Sequence, residues 1–182
     1  MRILAISGSL RDGSYNTLLL RAAEQQAPAG VVIDRYVDLA QVPPFHGDRA
    51  DRGPVPKAVR DLRKRVERAD AVLIATPEYN GSIPGQLKNA LDWASTPFPD
   101  NVFKGKPVAV IGASTGNYGG IWAQNELKKV LGVTGARVVG EGMAVARANE
   151  QFDTDGNLAD GQAERLAKVL DDLTQEYAAI AA

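Results

Sequence analysis

Two kinds of apolar pattern alternate along the chain. In the first kind, short runs rich in β-branched residues stay apolar without alternating, which is typical of strands buried on both faces. These runs cover residues 3–6, 31–33, 71–75, 108–111 and 138–139. In the second kind, apolar residues recur every three or four positions, as on one face of a helix. Helices of this kind are clearest from Val59 to Ala69, from Ile83 to Ala94 and from Leu166 to Tyr177.

A strand followed by a helix, repeated five times, predicts an α/β three-layer sandwich with a five-stranded parallel sheet. We interpret residues 1–182 as a single domain, because no linker separates a second unit. The least regular stretch, residues 142–161, is predicted to be a surface excursion before the last helix. Ligands bind such sheets at the carboxyl ends of the strands, near the point where the strand order reverses. The loops after the first, third and fourth strands are therefore the candidate functional segments.

The composition narrows the class of protein further. Lys and Arg number 21 and Asp and Glu 22, for a net charge of −1, so no overall field attracts nucleic acid or an anionic membrane. Cysteine is absent and His46 is the only histidine, so we predict no thiolate chemistry and no metal site, and a Ser-His-Asp triad would depend on that one residue. The apolar start is too short for a signal peptide or a membrane span, so we expect a cytoplasmic protein. If the protein is an enzyme, we expect its chemistry to come from a cofactor.

The loop after the first strand has the composition of an anion site. Small residues let backbone amides converge where the next helix begins, and the helix dipole favours a negative charge there. No Gly-Lys-Ser/Thr sequence ends the loop, and its glycines do not fit the dinucleotide fingerprint, so a terminal monophosphate is the predicted ligand. The alternative is an ordinary turn in which Asn16 caps the helix. The candidate side-chain donors are Ser9, Arg11, Ser14, Asn16 and Thr17.

The loop after the third strand is stiff and polar. Pro77 fixes one backbone angle, and Asn80-Gly81 is a turn dipeptide that tolerates positive φ. Such a backbone could contact a planar heterocycle at its edge while Tyr79 covers part of a face. The alternative is a turn without a ligand.

The loop after the fourth strand is rich in glycine. Gly116, Gly119 and Gly120 allow close backbone approach, and Ser114 and Thr115 offer hydroxyl groups. The motif is weak when taken alone. Its agreement with the two preceding loops indicates a single ligand site at one edge of the sheet.

Gly8-Ser9-Leu10-Arg11 with Ser14 and Asn16, together with Pro77-Glu78-Tyr79-Asn80-Gly81, resembles the NADPH-dependent FMN reductase family. The resemblance runs from Arg2 into the last helix and implies a flavodoxin-like fold. It implies that the first loop binds the FMN phosphate, that the second lies along the isoalloxazine and that the third flanks the other edge of the ring. The residues carried over are Ser9, Arg11, Ser14, Asn16, Thr17, Pro77, Glu78, Tyr79, Asn80, Gly81, Ser114, Thr115 and Gly116.

The same resemblance implies an oxidoreductase that takes electrons from NADPH or NADH and passes them to a quinone, an azo compound or chromate. We expect ping-pong hydride transfer through the flavin N5 position without a catalytic side chain. Backbone amides near Asn80, Gly81 and residues 114–116 could stabilise negative charge on the reduced ring. The family also implies homodimers or homotetramers with the flavin near a subunit interface.

Two other classes of function remain open from the sequence. One is a flavodoxin-type electron carrier without nicotinamide-dependent activity, and the other is an interaction module that binds no flavin. The basic segment 49–68, with eight basic and three acidic residues, is interpreted as a solvated helix face. His46 is expected on a surface loop, and Trp93 and Trp122 are expected in packing or in a subunit interface.

Overall fold

Helices cover both faces of one parallel sheet in the computed structural model, which describes residues 1–51 and 53–181. The strands are β1 Arg2–Ser7, β2 Val32–Tyr36, β3 Ala71–Ala75, β4 Pro107–Ala113, β5 Arg137–Val138 and β6 Met143–Val145. They lie in the order β2-β1-β3-β4-β5, with β6 also paired to β4, and every pair is parallel. The predicted three-layer α/β sandwich is therefore confirmed. The five residues of β3 and the seven of β4 are all buried, which explains why both strands read as unbroken apolar runs.

The described residues form seven helices and a short 3-10 turn at Leu39–Gln41. The helices are α1 Tyr15–Gln25, α2 Gly47–Asp51, α3 Lys57–Arg68, α4 Gly85–Ala94, α5 Ile121–Val133, α6 Ala148–Gln151 and α7 Asp160–Ala181. One layer of the core contains α1 and α7, which pack Leu19 and Leu170 against the sheet. The other layer contains α3, α4 and α5, which bury Leu62, Leu87 and Leu127. None of the described helices is both long and apolar enough to cross a membrane.

The fifth position of the sheet is filled by two short strands in succession. β5 pairs with the start of β4 through Val108 and Val138, and β6 pairs with its end through Ala113 and Val145. Between them the backbone takes positive φ at Gly140 and Gly142, which breaks the extended conformation. The prediction that residues 142–161 form only a surface excursion was therefore wrong at its beginning. Met143 and Val145 are buried under α7 and extend the sheet beside the candidate site.

Tyr36, at the end of β2, carries a buried hydroxyl that has no hydrogen-bond partner within the described chain. Burial raises the pKa of this phenol to about 12, and the Asp38 carboxylate acts in the same direction. The Tyr36→Phe variant is expected to be as stable as the wild type or more stable, by about 1 kcal/mol, because it removes an unsatisfied polar group. The measurement is chemical denaturation at neutral pH.

The pH dependence gives a second test of the same variant. The folded-state pKa lies above the unfolded value of 10.0, so the unfolded chain loses its proton first as the pH rises. The contribution of Tyr36 to the free energy of unfolding is fully present below pH 10.0 and is lost as the pH rises through the folded-state pKa. Tyr36→Phe should lack this part of the alkaline loss of stability. If Tyr36→Phe were more than about 1 kcal/mol less stable than the wild type at neutral pH, the Tyr36 hydroxyl would have to make a hydrogen bond in the folded protein.

Candidate functional site

The loops after β1, β3 and β4 meet at one cleft at the carboxyl edge of the sheet. The cleft has a volume of about 170 Å³, and all three loops contribute to its wall. Nine of the thirteen predicted site residues line it. They are Ser9, Arg11, Ser14, Asn16, Pro77, Glu78, Tyr79, Ser114 and Thr115. The sequence therefore predicted correctly which loops come together.

Helix α1 begins at the wall of the cleft and presents its amino terminus there. Ser14 is the N-cap, and its side chain accepts a hydrogen bond from the Asn16 N–H at 3.2 Å. The alternative in which Asn16 is the cap was therefore wrong. The hydroxyls of Ser9 and Ser14 belong to residues that are more than 90% buried. Since a cap satisfies only part of the first turn, the remaining N–H groups and the helix dipole favour an anion at this point.

Gly8 fixes the first loop against the centre of the sheet. Its N–H donates to the Ala75 carbonyl at 2.8 Å, which joins the end of β1 to the end of β3. A Cβ at this position would lie 2.9 Å from Leu87 Cδ2 and 3.3 Å from Pro77 Cδ. A side chain at this position would displace Leu87, so glycine favours the close approach of the first and second loops.

Asn16 joins the first loop to the third. Its Nδ2 donates to the Ala113 carbonyl at 3.0 Å, and its Oδ1 accepts from the Ala113 N–H at 3.0 Å. The side chain is buried, at 3% exposure, and both of its polar atoms are bonded to β4. Asn16 thus lines the cleft while its amide group is used to hold the two loops together.

The second loop forms a tight hairpin. Tyr79 and Ser82 exchange two backbone hydrogen bonds, at 3.0 and 3.1 Å, and Asn80 and Gly81 between them have φ values of 54° and 75°. Two positive φ angles define the turn type that asparagine and glycine favour in two-residue hairpins. The predicted turn is therefore confirmed. It leaves the Tyr79 ring 44% exposed at the rim of the cleft.

Glu78 has a role that the sequence did not predict. Its carboxylate Oε2 accepts hydrogen bonds from the N–H groups of Trp122 and Ala123, at 3.0 and 3.2 Å. These are first-turn donors of α5, and a carboxylate at a helix amino terminus is stabilised by the helix dipole. The second loop is thereby attached to the helix that follows the third loop.

The third loop is held by the segment that follows β6. The Ser114 N–H donates to the Val145 carbonyl, and the Ala148 N–H donates to the Ser114 carbonyl, both at 3.0 Å. Gly119 has a φ of 61°, and a Cβ there would lie 2.8 Å from the Val145 backbone nitrogen. The predicted close backbone approach is thus present at Gly119. Its partner is β6, the strand that the sequence analysis missed.

Four predicted site residues do not line the cleft. Asn80 and Gly81 form the exposed tip of the hairpin, and the Gly116 N–H donates to Ser114 Oγ at 3.1 Å. The Thr17 hydroxyl lies 3.1 Å from the Ser7 hydroxyl, in a neighbouring pocket. Two lining residues were missed, Tyr15 and Ala113. Tyr15 lies between two predicted residues, Ser14 and Asn16, and this position in the sequence could have identified it as a lining residue.

The other features singled out in the sequence do not line the cleft. His46 is exposed, whereas Trp93 is fully buried and donates its indole N–H to the Pro43 carbonyl at 2.8 Å. Trp122 is 52% exposed, and its ring lies 4.9 Å from that of Tyr118. The described residues contain no group of three or more His, Cys, Asp or Glu side chains placed to hold a metal ion.

The basic segment 49–68 was interpreted as a solvated helix face, but some of its basic side chains are part-buried or form ion pairs. Arg63 is part-buried and donates to the Trp93 carbonyl at 2.8 Å, and burial lowers its pKa. Lys57 and Arg65 form ion pairs with Asp61 and Asp34. Arg52 of this segment lies outside the described residues.

A parallel sheet in this strand order, with a polar cleft at the carboxyl ends of β1, β3 and β4, defines the flavodoxin-like class of proteins. The chain belongs to the NADPH-dependent FMN reductase family, whose model matches residues 1–150. Members of this family are flavoenzymes that use FMN and a nicotinamide nucleotide, and this chain is an oxidoreductase of that kind.

Similarity to individual proteins supports the membership of this chain in the family. An NAD(P)H-dependent FMN reductase of Pseudomonas aeruginosa is 41% identical over 91% of this chain and 89% of its own length. A 2-hydroxy-1,4-benzoquinone reductase of a Burkholderia species is 36% identical over 98% and 95%. The solved structure of FerB, a flavoenzyme NAD(P)H:(acceptor) oxidoreductase from Paracoccus denitrificans, superposes with a TM-score of 0.81 at 33% identity, covering 96% of this chain and 98% of FerB.

Proposed function

We propose that this chain binds FMN in the cleft between the three loops and uses NAD(P)H to reduce quinones. Azo compounds and chromate are further candidate acceptors. The observation that carries the proposal is the meeting of residues from loops far apart in the sequence, namely 9–16, 77–79 and 113–115, in one polar cleft. The Burkholderia relative is named for its action on a hydroxybenzoquinone, which supports a quinone as acceptor. We further propose a cytoplasmic location, because the reductant is a cellular nucleotide.

The donor set of the first loop fits a phosphomonoester. Ser9 and Ser14 offer buried hydroxyls, Arg11 offers a guanidinium, and the amino terminus of α1 offers backbone N–H groups. Hydroxyl and guanidinium donors around a helix amino terminus are a common arrangement for phosphate. We assign the phosphate of FMN to this end, with Asn16 holding the loop in place and Thr17 supporting it through Ser7.

The cleft volume of about 170 Å³ supports an assignment in which only the phosphate end of FMN is enclosed and the ring lies in the open. Pockets that enclose a drug-sized ligand measure roughly 300–1,000 Å³. We place the isoalloxazine along the rim, with Pro77 to Gly81 on one side and Ser114 to Gly116 on the other. An open ring face is what a nicotinamide and a quinone both require, because each must stack on it in turn.

FMN held in this cleft would supply the redox chemistry, namely hydride acceptance from NAD(P)H and reduction of the acceptor. The part played by the protein would be to bind FMN and to orient its ring. The rigid hairpin at Asn80 and Gly81 would hold Tyr79 beside the ring, and Glu78 anchors that hairpin to α5. The N–H groups of Ser114 and Gly116 are bonded within the protein, so the remaining backbone dipoles of the second and third loops would favour negative charge at the ring edge. We assign no catalytic side chain.

The direct test is the visible absorption spectrum of the purified protein, followed by anaerobic titration with NADPH and NADH and a steady-state assay with benzoquinone. We expect a yellow protein, or one that becomes yellow when FMN is added, with bleaching by the nucleotide and turnover with the quinone. Binding of FMN without turnover would favour the electron carrier. A protein that stays colourless in FMN would overturn the proposal and favour the interaction module.

We also propose a homodimer or homotetramer with the flavin near its interface. Tyr79, Tyr118 and Trp122 are large exposed aromatic residues next to the open side of the cleft. A second copy covering this surface would enclose the ring that a single chain leaves open. Trp122→Glu is expected to lower the molar mass measured by light scattering, whereas Val133→Glu, at the other end of α5 and 71% exposed, should not. A monomeric wild type would contradict this assignment.

A further inference from the structure

A second pocket lies on the other side of the first loop from the FMN cleft. It has a volume of about 320 Å³ and lies beside α1 at the carboxyl ends of β1 and β2. Ser9 and Arg11 line both the cleft and this pocket, so the two lie beside the same loop. We call it the β2 pocket. The lining residues that matter here are Ser7, Leu10, Arg11, Thr17, Arg21 and Val37.

The β2 pocket contains uncompensated positive charge. The ion pairs of arginine among the described residues join Arg35 to Glu24, Arg65 to Asp34 and Arg137 to Glu176. Arg11 and Arg21 therefore keep free guanidinium groups, and Asp12 is the one carboxylate in the lining. A guanidinium presents a planar fork of donors that matches phosphate oxygens. The pocket thus favours a phosphorylated ligand.

The rest of the lining is suited to a nucleoside. Leu10 and Val37 are apolar side chains that are 54% and 73% exposed, and both line this pocket. Such side chains can enclose a flat heterocycle. The half-buried hydroxyls of Ser7 and Thr17 can pair with those of a sugar. Apolar walls with a few polar groups are the usual composition of a ligand pocket.

We propose that the β2 pocket binds the adenosine 2′-phosphate half of NADPH, with Arg21 as the residue that distinguishes NADPH from NADH. The support for this assignment is the pair of free arginines beside an apolar wall in the β2 pocket, and not an analogy to Rossmann dinucleotide folds, because the loop after β1 lacks their glycine fingerprint. The proposal rests on the proposed function, because it needs the nicotinamide to reach the flavin ring on the other side of the first loop. Arg11 is shared by both sites, whereas Arg21 belongs to the β2 pocket alone.

The test compares Arg21→Gln with Arg68→Gln. Both remove one exposed charge, and Arg68 lies at the end of α3, just before β3, on the opposite edge of the sheet. In the FMN-loaded protein, Arg21→Gln should raise the KM for NADPH about tenfold, since it removes a hydrogen-bonded charge pair. The KM for NADH should change by less than about twofold, because NADH lacks the phosphate. Arg68→Gln should change neither.

Calorimetric titration gives a readout that does not need turnover. Adenosine 2′,5′-bisphosphate should bind the wild type more tightly than 5′-AMP, and Arg21→Gln should remove the difference. Equal effects of Arg21→Gln on both dinucleotides, or no preference for the bisphosphate, would overturn the proposal. A wild type that binds no FMN or reduces no quinone would instead refute the proposed function, and the titration would still decide whether the β2 pocket takes the phosphorylated nucleoside.

Discussion

Replacing Ser14 by aspartate is expected to weaken FMN binding about 100-fold without weakening the fold. Aspartate is as good an N-cap as serine, so it should still accept the Asn16 N–H that begins α1. Its charge, however, would lie in the cleft where the phosphate is proposed to bind. The variant loses one hydrogen bond to a charged group and gains a like-charge repulsion, together about 3 kcal/mol. That corresponds to roughly 100-fold weaker binding of FMN.

The control for this variant is Ser14→Asn, which keeps a capping oxygen and adds no charge. Fluorescence titration with FMN should separate the two variants, whereas their melting temperatures should agree. Titration with riboflavin adds a second control, because riboflavin has no phosphate and should bind both variants alike. If Ser14→Asp bound FMN as tightly as Ser14→Asn, the phosphate would have to be assigned to another part of the cleft.

The strand order and the position of the site follow from features that are local in the sequence. Buried parallel strands are apolar at every position, so β3 and β4 could be found from their unbroken runs. Gly8 and the Asn80-Gly81 pair act through backbone angles and close approach, which are properties of the residue type. Because parallel strands place their carboxyl ends on one edge, locating three loops was enough to locate the cleft.

The interactions that fix the distances within the site join residues far apart in the chain, and no local pattern reveals them. Glu78 bonds the Trp122 N–H 44 positions away, and Asn16 bonds Ala113 97 positions away. The strand β6 has only three residues and follows two glycines with positive φ, so it carries no period that could be recognised. The β2 pocket was missed because the sequence indicated only the anion-binding side of the first loop.

Asn16 should be the polar residue whose loss destabilises the protein most, because its amide satisfies both backbone groups of Ala113. In Asn16→Ala the buried N–H and carbonyl of Ala113 lose their partners. The expected loss is about 3 kcal/mol in the free energy of unfolding. For a chain of this length that is a decrease of roughly 6–12 °C in melting temperature. FMN affinity should fall as well, because the first and third loops are no longer held together.

Asn16→Asp sharpens this test, since it keeps the oxygen that accepts from the Ala113 N–H and replaces the donor by a carboxylate oxygen facing a carbonyl. At neutral pH it should be less stable than Asn16→Ala, because it buries a charge next to an acceptor. Burial raises the pKa of such a carboxyl, so the folded form takes up a proton on acidification before the unfolded chain does. The stability deficit should therefore shrink as the pH falls, since a protonated carboxyl can donate to the Ala113 carbonyl. Asn125→Ala, an exposed amide on α5, is the matched control and should change little. Equal stability of Asn16→Ala and Asn125→Ala would mean that the two hydrogen bonds between Asn16 and Ala113 do not stabilise the fold.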